Sequence, residues 1–370
     1  MVNGGQSGGG TPLSAKGNPI KGIRVMKRHS QSDGRRLSAG FTLVELLVVI
    51  TIIGILAGLV TAAAVVAVRR AKEAAIYVEL TQLDMACKAY KEKFGEYPPD
   101  FAGVNSGDAT LKAAAQSAVL RHFAKAFPRY APGSWATLQT DVLNGWNLDI
   151  DNLTPAGALA FFLGGKPDWL VESSGDAVLP GAGSNKVVST RPIRGFLGFS
   201  ANPAAPFDSS ASRIKPFYDF DINSIGCTSS GGTVTEIAYW PKVQAVTAKN
   251  SGLIVYFRAE NGNYTVDGNI PNGNASTSTN IKSRSQVVWP AIDTRLSTFP
   301  GMGTPTITWT NPQSVQIFAS GLNLRYGTPV DAAGGTPFYG LRYPVGTNYA
   351  TDTFDDITNF YGGRLESAMP

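Results

Sequence analysis

Residues 35–60 read RRLSAGFTLVELLVVITIIGILAGLV, and from Phe41 to Val68 the only ionisable side chain is Glu45. As a helix rising about 1.5 Å per residue, this run spans roughly 42 Å, enough to cross a hydrocarbon layer about 30 Å thick. Arg69-Arg70-Ala71-Lys72 closes it. Ahead of Gly40 stand seven basic residues and one acid, Asp33, a surplus of six; the whole chain carries +5, so all that follows is one charge negative. The basic leader predicts residues 1–40 in the cytoplasm, a single pass through the cytoplasmic membrane, and the remainder outside. The same imbalance confines the basic charge to the tail, so no nucleic-acid partner is expected.

A secretory signal has an apolar core of about 7–15 residues with its cleavage site after that core. Here the small residues Ser38-Ala39-Gly40 come before the apolar run. A cut at that point leaves the run on the mature chain. Glu45 is then the puzzle, because a carboxylate deep in a membrane costs about 2.5–3.5 kcal/mol. A place in the first helical turn, near the headgroups and favoured by the helix dipole, softens that cost without explaining the residue.

Gly40-Phe41-Thr42-Leu43-Val44-Glu45-Leu46-Leu47-Val48-Val49-Ile50 resembles the signature shared by type IV prepilins and type II secretion pseudopilins. The resemblance implies cleavage by a prepilin peptidase between Gly40 and Phe41 and N-methylation of Phe41. It also implies Glu45 as the assembly carboxylate, paired with the Phe41 ammonium of a neighbouring subunit; attraction in low dielectric is the mechanism. Its implied partners are copies of the chain, minor pseudopilins or pilins, and an inner-membrane assembly platform. Gly54 and Gly58 form a small-xxx-small pair that lets helices approach closely. The family's leaders are usually short, and Met26 followed by Lys27-Arg28 starts a leader of that form, so residues 1–25 read as an extension or an artefact of the start codon.

Beyond Lys72, Ile76, Leu80, Leu83, Cys87, Tyr90 and Phe94 recur every three or four residues, with charged residues such as Glu73, Glu79 and Asp84 assigned to the other faces. No proline interrupts Phe41–Glu96, so one helix of about 54 residues is predicted. The expected division is a leader (1–40), a membrane or filament-core helix (41–68), its amphipathic continuation (69–96) and a globular head with a large insertion (97–370). The expected class is α+β: a long N-terminal helix packed on an antiparallel-sheet, pilin-like head. The 41 Gly and 23 Pro favour such a turn-rich head over a helix bundle. A second helix is predicted over Ala109–Phe127, and a short one capped by Thr154 and ended by Gly164-Gly165. Strands are expected at Glu236–Trp240, Gly252–Arg258 and Ser314–Ala319, and a surface loop at Asn269–Ser285.

Tyr97-Pro98-Pro99-Asp100 resembles pseudopilins, and Ser320-Gly-Leu-Asn-Leu-Arg-Tyr-Gly327 and Asp355-Asp-Ile-Thr-Asn-Phe360 are similar to segments of the major type II pseudopilin. The last two resemble its calcium loop and terminal motif, which implies calcium as a cofactor at Asn323, Asp355 and Asp356. Where that loop usually has Asp-Gly, this chain has Asn323-Leu324. The second motif lies 28 residues beyond Gly327, so the two need not meet.

Catalytic signatures are sparse. His29 lies in the leader, and His122 is expected on a helix surface. GxSxG, HExxH, a P-loop and GxGxxG are absent. Asp219-x-Asp221-x-Asn223 starts like a calcium loop, but Ser230 stands where an EF-hand needs glutamate, so these acids are read as turn caps. Cys87 and Cys227 fit no metal spacing; whether they pair is left open. A non-enzymatic filament subunit is the leading reading. Its rival is a membrane-anchored binding or enzymatic domain outside the cytoplasm that uses the signature for export.

Overall fold

The computed structural model describes residues 40–169, 193–209, 212–230, 233–244, 252–265, 288–297, 306–326, 341–344 and 355–368. The chain divides into two compact units, Met1–Leu59 and Val60–Pro370. Helix α1, Leu43–Phe94, begins in the first and continues through the second. It ends where the predicted stop lies: Gly95 takes a φ of +83°, and its N–H closes on the Lys91 carbonyl at 2.7 Å.

Within the second unit the predicted stripe is the buried one. Ile76, Leu80, Leu83, Cys87 and Tyr90 are fully buried and Phe94 nearly so. Helix α2, Ala109–Ala126, is capped by Asp108, whose side chain accepts from the Thr110 and Leu111 amides. Helix α3, Trp135–Trp146, was not anticipated; Ser134 caps it, and Asn147 ends it at φ +54°. The segment after Thr154 ends at Gly165 as expected, but Ala160–Gly164 is a π-helix, and the Thr154 hydroxyl is buried without a partner among the described residues.

The strands are β1 (Pro167–Trp169), β2 (Ile193–Phe196), β3 (Ile225–Ser230), β4 (Thr233–Tyr239), β5 (Val255–Glu260), β6 (Asn263–Tyr264), β7 (Ala291–Asp293), β8 (Val315–Ala319), β9 (Leu341–Tyr343), β10 (Ile357–Thr358) and β11 (Tyr361–Arg364). The main sheet has the order β11-β10-β8-β5-β6 and is antiparallel throughout. Tyr256 faces Ile317 across it, and Ile357 faces Ala319. Pairs β1–β2 and β3–β4 are antiparallel, whereas β7–β9 is parallel. The fold is α+β, a long apolar helix with antiparallel sheets in a globular head. The expected loop at Asn269–Ser285 lies outside the described residues.

Two charged side chains depart from their expected exposure. Glu79 is 5% exposed, because it shares the helix face of Ile76, Leu80 and Leu83. Its burial is offset by donors from the sheet region: the Tyr239 hydroxyl, the Tyr218 hydroxyl at 3.5 Å and the Lys242 amide at 2.9 Å. Burial still pushes its carboxyl above the usual range. His122 is fully buried rather than on a helix surface, since α2 turns Val119, His122 and Phe123 inward. Its Nε2 lies 2.8 Å from the Tyr90 hydroxyl and its Nδ1 2.6 Å from Glu96 Oε1. A neutral ring satisfies both contacts, donating to Glu96 and accepting from Tyr90. Asp100 ties the same region to β5, accepting from the Arg258 amide at 2.9 Å. As for the capping acids, Asp221 accepts from the Asn223 amide at 2.9 Å. Cys87 and Cys227 are both buried and free.

Burial holds the His122 pKa below its ordinary value, so the unfolded chain takes up the proton first as pH falls below about 6.5. His122 therefore favours the fold above that pH and loses its contribution below it. Thermal melts of the full chain in detergent, compared with His122→Gln, should show the wild-type advantage shrinking from pH 7 to pH 5, by up to about 1.4 kcal/mol per unit. A constant difference would mean the ring titrates alike in the folded and unfolded chain, and a growing one that it is protonated in the fold. Glu96, held at about 2 chiefly by its hydrogen bond to His122, adds a loss of the same sign below about pH 4.5.

Candidate assembly site at the helix N-terminus

Gly40, Phe41 and Thr42 precede the helix and are exposed, so the bond between Gly40 and Phe41 lies in accessible, non-helical chain. From Thr42 the chain closes into its first turn by a reciprocal pair of contacts. The Glu45 amide donates to Thr42 Oγ1 at 3.2 Å, while Glu45 Oε2 accepts from the Thr42 amide at 2.9 Å and the Thr42 hydroxyl at 2.8 Å. This is a capping box, and the pattern Thr-x-x-Glu ahead of an apolar run is its sequence signature. Glu45 therefore has a role within a single chain that its membrane cost alone does not suggest. All of the capping contacts to the carboxylate fall on Oε2, and Oε1 makes no hydrogen bond among the described residues. Cleavage after Gly40 changes the Phe41 nitrogen from amide to ammonium and leaves the Thr42 amide, the cap donor, intact.

Between the cap and Lys72 the helix buries nothing. Every residue from Gly40 to Lys72 is exposed, among them Leu43, Ile50, Leu56 and Val66. The Thr51 hydroxyl is satisfied internally by the Leu47 carbonyl at 2.7 Å, as suits a group headed for an apolar medium. Gly54 and Gly58 share a face one turn apart, and a Cβ built on either meets nothing within 4 Å. The span is long and apolar enough to cross a membrane.

The C-terminal motifs do meet, despite the chain between them. Asp355 Oδ2 accepts from the Asn323 amide at 3.1 Å. Gly321 permits that approach, because a side chain there would collide with Asp355. Asp355 Oδ1 is buried and has no partner among the described residues, and burial pushes the carboxyl above its usual range. Leu324 takes φ +62°, the left-handed conformation for which the family loop's glycine is suited. Asp356 is buried, and burial first and the charge of Asp356 second push the Tyr326 phenol up. An orphaned carboxylate oxygen beside a loop fits one or two oxygen ligands of a hard cation. No group of three or more His, Cys, Asp or Glu that could hold a metal occurs among the described residues.

A protein-family model described as the prokaryotic N-terminal methylation motif matches residues 35–61, the segment that contains the cleavage bond, the capping box and both glycines. No curated protein and no solved structure matches the chain. The matched segment supports a prepilin-type N-terminal signal, and one helix among the described residues is long and apolar enough to serve as a membrane anchor.

Proposed function

We propose that the chain is a non-enzymatic structural subunit of a filament of the type II pseudopilus or type IV pilus kind, assembled through α1 with its head outside the cytoplasm. The observation that carries the reading is the conjunction at residues 40–45: an accessible Gly40–Phe41 bond, a cap that survives cleavage, and a free carboxylate oxygen on Glu45. A prepilin peptidase removes the leader and N-methylates Phe41, which stays cationic. The neighbour's Phe41 ammonium then meets Glu45 Oε1, while Oε2 holds its own helix cap. Copies of the chain, minor subunits and an inner-membrane platform are the partners. N-terminal mass spectrometry of membrane-extracted protein should find a chain starting at N-methylated Phe41. An uncut leader in cells with an active peptidase, or a start after residue 60, would sink the reading.

The cap makes Glu45→Gln the informative substitution, because the amide oxygen can still accept from Thr42 while the charge is gone. Export and processing should continue, and filament yield should fall about tenfold or more, since losing one member of a desolvated charge pair costs several kcal/mol. Glu45→Ala should add fraying of the first turn, read by hydrogen exchange at residues 43–46. Normal filaments from the glutamine variant would leave Glu45 as a cap and nothing more. A processed chain that forms no filament under any condition would favour the anchored binding or enzymatic domain.

Calcium belongs to the same proposal, with Asp355 and Asn323 as first ligands and Asp356 beside them. Saturating a site at a hundredfold excess over Kd stabilises by about 2.7 kcal/mol. The full chain should melt several degrees lower in chelator than in millimolar calcium, and Asp355→Asn should abolish the difference. Equal melting of the wild type in both buffers would reduce Asp355 to a structural link to the Asn323 loop.

A further inference from the structure

Val60–Val68 and Arg69-Arg70-Ala71-Lys72 are consecutive on α1, and all of them are exposed. Arg70 lies about 3 Å beyond Val68 along the helix axis. In a chain anchored by the residues before it, the reading on which this inference rests, that is the depth of the phospholipid headgroups. Three cations in four residues also stand on the side that the positive-inside rule leaves poor in them. They call for a reason other than topology.

Beside Arg70 a groove of about 380 Å³ lies between α1 and β11. Arg70, Glu73 and Tyr77 line it from the helix, and Gly362, Gly363 and Arg364 from the strand. Gly362 and Gly363 present no side chains, and a Cβ on Gly362 would have only Tyr77 near it, the hydroxyl at 3.8 Å, while Ile357 and Ser367 also line the groove. Glu73 is bracketed by Arg69 at 3.7 Å and Arg364 at 3.8 Å, and Arg364 also meets Glu366 at 3.2 Å. Half-buried Asp355 is the third acid whose charge reaches this region, acting on Arg364 and Arg69. Arg70 and Lys72 have no carboxylate within 4.0 Å among the described residues. Arg70, which has no carboxylate partner among the described residues, therefore stands on the wall of an open groove, and the helix that carries it continues back into bare apolar surface.

We propose that this groove holds the phosphate of an anionic phospholipid from the leaflet facing the head. Arg70 and Arg364 meet the phosphate oxygens, which guanidinium groups bind in paired hydrogen bonds. The acyl chains lie along Val60–Val68. The apolar wall next to the cations selects a lipid over free phosphate, because only a lipid uses both. The bound headgroup holds the base of the head on the bilayer and has to be released when a subunit leaves the membrane.

The test uses the full chain in nanodiscs of phosphatidylcholine, with and without phosphatidylglycerol, and reads amide hydrogen exchange over residues 70–77 and 361–366. Phosphatidylglycerol should slow exchange there by about fivefold for each cation engaged, following the typical contribution of a basic residue at an anionic surface. Arg70→Gln, an exposed change that touches no ion pair, should lose that slowing, Arg70→Lys should keep most of it, and Arg364→Gln should deepen the loss. The cations of the leader are the same in every variant, so the local difference belongs to the groove. Equal exchange in both lipids, or slowing that persists in Arg70→Gln, would overturn the site. Slowing reproduced in phosphatidylcholine by millimolar inorganic phosphate would overturn its assignment to a lipid. Failure of the chain to enter phosphatidylcholine nanodiscs would overturn the anchor itself, a result distinct from entry without lipid selectivity.

Discussion

An apolar helix left bare among the described residues is the constraint on which everything else here depends. From Phe41 to Val68 the side chains are aliphatic, aromatic, small or hydroxylic, Glu45 apart, and none is buried. In water, large apolar side chains left bare forgo about 1.5–3 kcal/mol each relative to burial. The segment therefore needs either lipid or other helices around it. A lipid-exposed helix must also satisfy its backbone internally, which puts weight on the one end that chain continuity cannot supply. Thr42 and Glu45 close that end.

The head meets a different difficulty, because the same helix must be gripped along its second half. The grip combines an aliphatic and aromatic stripe with a few buried polar ties. Glu79 reaches Tyr239 and the Lys242 amide, Tyr90 reaches His122, and Asp84 receives Asn359 at 3.3 Å. Polar ties of this kind set orientation more sharply than apolar contact, since each leaves a costly orphan if the helix slides or turns. Position along α1 is thereby fixed with respect to β4, α2 and the loop after β10.

Much of this architecture was legible in the residues. The 3–4 spacing from Ile76 to Phe94 marks the buried face, Gly95 marks the end, and Asp108 and the Ala-rich run after it mark α2. Glu79 was misplaced because spacing reports the face and not the partner; its donors lie about 160 residues downstream. His122 was misplaced for a like reason, as Glu96 and Tyr90 are close to it only in the fold. Helix α3 had its signal in Ser134 ahead of Trp135, Leu138 and Val142. The capping box is equally readable as Thr-x-x-Glu, although the same letters belong to the processing signature. The approach of Asn323 to Asp355 had no local signal, since a long stretch of chain separates two loops that the sheet brings together.

The two cysteines bear on how such a head matures. Both thiols are buried, and burial pushes that of Cys227 up to about 12 and that of Cys87 well above its ordinary value. Thiolate is the species that attacks disulfides and oxidants, and here it is almost unpopulated. With this interior closed, the head's two thiols are inert to thiol–disulfide exchange even in an oxidising medium. The head's exposure to mispairing is limited to the interval before α1 and β3 seat Cys87 and Cys227 in the core.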